Sequence, residues 1–161
     1  MATTATNKQP LLVDRVFHEV QKCDTLTSGS DTEINILGTN ESVVLVNCAS
    51  NDGGVVEDLY IISRSPDTTY TALLYLSSST DYLRPNEATF IGKLESAATL
   101  GTITSYADFP KVLAPLPSAG TEAQVGALYI PKGKNLWVSL QVAGPINTNA
   151  TPIVGAQGGF F

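Results

Sequence analysis

The chain has 161 residues and a formal net charge of −6; 15% of its residues are charged and 43% are hydrophobic. A single domain with one core is the expectation for this length. The acidic balance and the lack of a cluster of Lys and Arg argue against nucleic acid or an anionic membrane surface as a partner, because both are bound through clustered cations.

The polarity of the chain comes from Thr, Ser and Asn more than from Glu and Lys. The β-branched residues Val, Ile and Thr are abundant, and they suit the pleated surface of a sheet, whereas Glu and Lys favour helix surfaces. No amphipathic segment is long enough for more than one helical turn. Composition therefore predicts an all-β protein.

The N-terminal part predicts an arm followed by three strands, of which the second is a short one at 33–37. Residues 1–10 are small and polar and are expected to form an N-terminal arm. From Leu11 the pattern alternates and places Val16, His18 and Val20 on one face of a first strand, which predicts a half-buried His18. Residues 42–49 are nearly continuous in Val and Leu, which predicts a strand that is buried on both faces or central in its sheet.

Turn signals divide the rest of the chain into further short strands. The clearest turn, Ser50 to Gly54, precedes strands predicted at 55–63, 70–77 and 88–94. Segments 127–130 and 136–143 are predicted to form a hairpin across Pro131-Lys132-Gly133-Lys134, and 151–161 a last extended segment. About nine strands at this spacing predict a single antiparallel β-sandwich over 11–161, of jelly-roll or immunoglobulin-like type, with a long Pro-rich connection at about 104–125.

The chain lacks the residue patterns of catalytic, metal and cofactor sites. It has one His and two Cys without paired metal-ligand spacing, and neither G-x-S-x-G, a Walker loop nor G-x-G-x-x-G occurs. The expectation is a protein that is not an enzyme, with no catalytic residue, metal, cofactor or small-molecule ligand. Cys48 is in phase with Val44 and Val46, which indicates a buried thiol; whether it pairs with Cys23 is open. No signal peptide or membrane-spanning segment is expected.

Two features near the C-terminus indicate a protein interface. All 15 acidic residues lie in 1–122, and 135–161 contains no charged residue, so this segment either forms central strands or is covered by another chain. If Leu136, Val138 and Leu140 face the core, Trp137 points outward as an interface anchor would, unless a loop of the same chain covers it. Phe160 and Phe161 either dock on a partner or close their own sandwich.

A third feature is the apolar, Pro-rich stretch 108–117. Pro cannot donate to a sheet ladder, so this stretch is expected to wrap over a sheet or to reach a neighbouring subunit as an arm. Together the three features give the following interface candidates: Trp137, Phe160, Phe161, Phe109, Pro110, Leu113, Pro115, Leu116 and Pro117.

The order of segments over 42–161 carries a resemblance to a known family. The segments are VVEDLYIISRS, TALLYLSSSTDYL, ATFIGKLES, VLAPLP, ALYIPKGKNLWVSLQVA and VGAQGGFF. They resemble a group of small all-β structural proteins of tailed bacteriophages, whose members share a loose L-Y-(I/L)-P-x-G-x-x-L hairpin and a Gly-Gly-aromatic C-terminus. The resemblance implies a non-catalytic virion component, assembled in the host bacterial cytoplasm, whose β-sandwich associates through arms.

Three functions follow from this resemblance and from the composition. The first is a capsid cement or decoration protein that stabilises the shell by bridging neighbouring subunits, with the major capsid protein or other virion subunits as partners and with self-association. The second is a tail, neck or baseplate adaptor. The third is a carbohydrate-binding adhesion module that would stack sugars on outward aromatic residues such as Tyr82, Tyr106 and Trp137.

Overall fold

The computed structural model describes residues 14–23, 42–81, 83, 87–107, 111–112, 125–141 and 150–161. These residues form strands and turns without a helix. The strands are β1 (Arg15–Lys22), β2 (Ser42–Asn47), β3 (Gly53–Ile62), β4 (Thr71–Ser77), β5 (Thr89–Glu95), β6 (Ile103–Ser105), β7 (Lys111–Val112), β8 (Val125–Gly126), β9 (Leu128–Pro131), β10 (Asn135–Gln141) and β11 (Ile153–Phe160).

The strands form two main antiparallel sheets. Sheet A has the order β1-β11-β3-β6, with β9 also paired to β3, and sheet B has the order β2-β10-β4-β5. The short strands β7 and β8 pair separately with each other. The all-β class and the two-sheet sandwich predicted from composition and strand spacing are confirmed.

Alternate residues of both sheets point inward and form one core, as the two-residue period of a strand requires. Sheet A contributes Val56, Leu59, Ile61, Val154 and Ala156, and sheet B contributes Leu45, Val46, Ala72, Leu74, Leu136, Val138 and Leu140.

The uncharged C-terminal segment forms central strands, the first of its two predicted alternatives. β10 lies between β2 and β4, and β11 lies between β1 and β3. A strand with a ladder on each side is shielded by its neighbours and needs no charge to block further pairing. The absence of charge in β10 and β11 therefore follows from their central positions; residues 142–149 between them lie outside the described residues.

The predicted hairpin between 127–130 and 136–143 is wrong, although its turn is present. The Lys134 amide donates to the Pro131 carbonyl at 3.0 Å, and Gly133 takes a positive φ of 76° that suits glycine. β9, however, pairs with β3 in sheet A, while β10 lies in sheet B. The turn carries the chain from one sheet to the other, because Ile130 and Leu136 bury their side chains from opposite sides of the same core.

The predicted face of the first strand is also wrong. Val16 and Val20 are exposed by 82% and 51%, and His18 lies on the same exposed face, whereas Phe17 is buried. The reason is that Phe17 packs on Phe160, with ring centroids 4.6 Å apart, and so turns the opposite set of side chains toward the core.

β2 is buried on both faces, as its apolar sequence predicts, but it is not central. It is the terminal strand of sheet B among the described residues. Leu45 and Val46 face the core, while Val44 packs against a second cluster on the outer face of sheet B. The N-terminal arm, 1–10, and the short strand predicted at 33–37 lie outside the described residues.

Candidate interaction surfaces

Trp137 lies on the face of β10 opposite the core, as the alternation predicts, but the predicted exposure is wrong. Its side chain is 2% exposed and packs with Tyr75 and Leu83. Leu83 follows β4 in the same chain, and its amide donates to the Ser42 hydroxyl at 3.4 Å. A loop of the same chain thus covers Trp137, which was the alternative interpretation.

This Trp137 cluster contains two buried polar atoms without a hydrogen-bond partner, the Trp137 Nε1 and the Tyr75 hydroxyl. Burial raises the pKa of Tyr75, and the nearby Ser139 side chain partly offsets this by lowering it. The Tyr75 hydroxyl nevertheless has no hydrogen bond of ordinary geometry to Ser139. Phe90, which is 42% exposed, packs edge-on against Tyr75 at a centroid distance of 5.5 Å. Phe90 is therefore the aromatic residue exposed to solvent beside this cluster, and Trp137 is not.

The two terminal aromatic residues have different positions. Phe160 is buried between Phe17 and the guanidinium of Arg15, which lies 4.9 Å from its ring centroid. It therefore closes its own sandwich. Phe161 is half-buried and stacks on Tyr129 with ring centroids 5.8 Å apart. Its backbone is fixed by hydrogen bonds with Asp52 and Gly53.

The remaining interface candidates, Phe109, Pro110, Leu113, Pro115, Leu116 and Pro117, lie outside the described residues. Within the predicted Pro-rich connection, Lys111 and Val112 pair with Gly126 and Val125. An interface role for the six other residues stays a prediction.

The outer face of sheet A carries the largest group of exposed apolar side chains in the described part of the chain. Cross-strand partners in an antiparallel sheet share a face, and the register groups Val16, Gly159, Val55 and Tyr129 in one row. A second row contains Lys22, Ile153, Ile62 and Ile103. We call the following residues the apolar face: Val16, Val20, Val55, Ile62, Ile103, Tyr129, Ile153 and Phe161.

Exposure distinguishes the apolar face from an ordinary strand surface. Ile103 is 61% exposed and Tyr129 is 53% exposed, in addition to Val16 and Val20 on β1. Single exposed apolar residues are common on proteins, but several on one face are typical of an interaction surface. The alternation of β1 in the sequence contains this signal, but alternation alone does not indicate whether Val16 and Val20 face the core or the solvent.

A polar group crosses the middle of the apolar face. The His18 Nε2 lies 2.6 Å from the Tyr60 hydroxyl, and the Tyr60 ring lies flat over Gly155 of the intervening strand β11. A side chain at position 155 would overlap that ring, so glycine is required there for the close approach. The tyrosine thereby bridges β3 and β1 across β11 and fixes the histidine in the centre of the face.

The described residues offer no constellation for metal or redox chemistry. They contain no group of three His, Cys, Asp or Glu residues that could hold a metal ion. Cys23 and Cys48 are both buried and do not form a disulfide with each other. Burial raises the pKa of the Cys48 thiol to about 11, which keeps it protonated and unreactive at neutral pH.

Comparison of the chain with protein-family models, with curated proteins and with solved structures finds no match in any of the three. In the described part of the chain, no helix could cross a membrane.

Proposed function

We propose that the chain is a jelly-roll structural subunit of a tailed-phage virion, and that it coats the capsid as a cement protein bridging neighbouring capsid subunits. The observation that carries the proposal is the apolar face of sheet A, where Val16, Ile103 and Tyr129 are each more than half exposed. A surface of this kind is costly in water and favours coverage by another protein.

The strand pairings support a jelly-roll assignment. A jelly roll has eight strands in two sheets, built from two Greek keys. When the short strands β7, β8 and β9 are set aside, eight strands remain, and their pairs are nested along the chain. The first strand pairs with the eighth, the second with the seventh, the third with the sixth and the fourth with the fifth: β1 with β11, β2 with β10, β3 with β6 and β4 with β5. This is the pairing of one long hairpin rolled into two sheets, and it supports a jelly roll over an immunoglobulin-like sandwich.

Jelly rolls occur in viral capsid proteins and in lectins, so the choice between these functions depends on surface residues. A sugar platform needs exposed aromatic rings, but Trp137 is buried and the Tyr106 hydroxyl donates to the Ile91 carbonyl. The third residue considered for such a platform, Tyr82, lies outside the described residues. The exposed Tyr129 lies among aliphatic side chains of the apolar face, and this setting favours a protein partner over a carbohydrate.

The cement role fits a surface whose individual contacts are modest. Many copies on a repeating shell act together, so a weak contact per copy suffices for stable attachment. The tail, neck or baseplate adaptor would use the same kind of surface at a position with few copies.

The test is the molar ratio of this chain to the major capsid protein in purified particles, measured by quantitative mass spectrometry. We expect hundreds of copies per particle. A dozen copies or fewer would contradict the cement role in favour of the adaptor, and absence of the chain from particles would contradict both.

A further inference from the structure

We infer that the apolar face releases its partner when His18 becomes protonated, so that attachment is strong at neutral pH and weak in acid. The inference rests on the proposed function, because it takes the apolar face as the surface that binds the capsid. His18 is the only histidine of the chain, and histidine is the side chain that ordinarily changes charge between about pH 5 and 8. The structure places it between the exposed Val16 and Val20, at the centre of the apolar face.

The contact with Tyr60 fixes the position of the imidazole. The Tyr60 side chain is buried, and its hydroxyl lies 2.6 Å from the His18 Nε2. A phenol hydroxyl both donates and accepts hydrogen bonds, so this contact is compatible with a neutral imidazole and with an imidazolium. Protonation therefore adds a charge at a fixed point of the apolar face and does not turn the ring away from it.

The described strands beside β1 provide little compensation for that charge. On β11 the residue directly opposite His18 is Gln157, which is uncharged. On β3 the nearest positions are Tyr60 and Asp58, and Asp58 is the partner of Gln157, one strand further from His18. β2, which also lies next to β1, contains no charged residue. Asp58 is thus the nearest acid across sheet A, and Gln157 separates it from His18.

The charged residues of β1 and its start do not neutralise His18 on this face either. Arg15 and Glu19 occupy odd-numbered positions and so project from the opposite side of the strand. Asp14 and Lys22 lie four residues to either side of His18 and carry opposite charges. β1 therefore provides no acid next to His18 on the apolar face.

Coverage of the apolar face by a partner removes His18 from water. A neutral imidazole tolerates this, because its Nε2 already has Tyr60 as a hydrogen-bond partner. An imidazolium would be buried among aliphatic side chains without an adjacent opposite charge from sheet A, which is strongly unfavourable. The partner therefore selects copies with a neutral His18, and the apparent affinity falls with the fraction of such copies.

The sign of the effect distinguishes this local charge from the net charge of the chain. Protonation of His18 makes the formal net charge of −6 less negative by one unit, which by itself reduces repulsion between copies. A general charge effect would therefore strengthen association in acid. A charge at the centre of the binding surface weakens it.

Hydrophobic-interaction chromatography of the full chain at pH 7.5 and pH 5.5 tests the face itself. The natural chain is compared with His18→Gln, which stays neutral, and with His18→Lys, which stays charged. We expect the natural chain to elute with His18→Gln at pH 7.5 and with the less retained His18→Lys at pH 5.5. Equal retention of the two variants, or a natural chain that follows His18→Gln at both pH values, would overturn the inference.

Binding to purified particles that lack the chain separates failure of this inference from failure of the proposed function. We expect the ratio of the Kd of the natural chain to that of His18→Gln to rise about tenfold per pH unit below the titration range of histidine, because each bound copy excludes one proton. The ratio also cancels titration of the particle. A ratio that stays constant or falls in acid would overturn the inference and leave the proposed function intact. Absence of binding by both proteins at every pH would contradict the proposed function, and the chromatography would then decide the inference.

Discussion

At the scale of single residues, the Trp137 cluster contains buried donors that folding leaves unsatisfied. Among the described residues, neither Trp137 Nε1 nor the Tyr75 hydroxyl has a hydrogen-bond partner, whereas the Tyr60 hydroxyl lies 2.6 Å from the His18 Nε2. An unsatisfied buried hydroxyl costs free energy, and a satisfied one contributes about 0.5–1.5 kcal/mol. The two tyrosines therefore differ in what their hydroxyls contribute to stability.

We predict opposite effects for the same substitution at the two tyrosines. Tyr75→Phe should leave the free energy of unfolding unchanged or raise it, because it removes a hydroxyl that lost its water without gaining a bond. Tyr60→Phe should lower it by about 1 kcal/mol. Urea denaturation measures both, and a larger loss for Tyr75→Phe than for Tyr60→Phe would contradict the assignment.

The buried thiol of Cys48 makes stability depend on pH in the alkaline range. Its pKa rises from 9.0 to about 11 on folding, because burial disfavours the thiolate. Between these two values the unfolded chain loses the proton while the folded chain keeps it. The unfolded state is therefore favoured increasingly as pH rises through this window, and the contribution is absent below it.

We predict that the natural chain loses about 2 kcal/mol more stability than Cys48→Ala between pH 8 and pH 10.5. Other groups, including Tyr75, also titrate in this range, but the comparison at matched pH cancels them. Urea denaturation at both pH values gives the difference. Parallel pH dependence in the two proteins would show that Cys48 does not ionise differently on unfolding.

At the scale of elements, the end of β11 separates a core residue from a surface residue at adjacent positions. Phe160 is buried against Phe17, while Phe161 stacks on the exposed Tyr129 at the margin of the apolar face. A truncation of the last four residues would remove the buried Phe160 and the surface residue Phe161 together. It would also remove the pairing of Gly158 and Gly159 with β3. Point substitutions distinguish them.

We predict that Phe160→Ala lowers the free energy of unfolding by about 3–5 kcal/mol, as for other buried Phe residues. Phe161→Ala should lower it by less than about 1 kcal/mol but weaken attachment to particles. Thermal denaturation and a particle-binding assay measure the two effects. Equal destabilisation by both substitutions would contradict a surface position for Phe161.

The strands could be predicted from the sequence because side-chain period and turn residues are local properties. The turn at Ser50 to Gly54 and the strand at 70–77 show this, since the structure has β3 starting at Gly53 and β4 at Thr71–Ser77. Strand partners could not be predicted in the same way. The sequence of the turn at Pro131 to Lys134 is compatible both with a hairpin and with a crossover between the sheets. The long-range pairing of β9 with β3 determines that the chain crosses to the other sheet.

The candidate surface was missed for a related reason. Val16 and Val20 alternate with polar residues just as core residues do, and alternation does not indicate which face is inward. The face is set by Phe17, whose partner Phe160 lies at the other end of the chain. Likewise, the cover over Trp137 comes from Leu83, a contact that local sequence cannot reveal.

At the scale of the whole molecule, the two sheets have different surroundings. On the outer face of sheet B, Trp137 and Tyr75 are buried and pack with Leu83, whereas the outer face of sheet A leaves Val16, Ile103 and Tyr129 exposed. We therefore propose the outer face of sheet A as the assembly side of the molecule.

Hydroxyl-radical footprinting of the chain, free in dilute solution and again in purified particles, tests whether sheet A is the assembly side. We expect Tyr129 and Phe161 to be labelled in the free chain and protected in particles. Phe90, which is exposed on sheet B, serves as the control and should be labelled in both. Equal labelling of Tyr129 in the two samples, or protection of Phe90 alone, would contradict the assignment of sheet A as the assembly side.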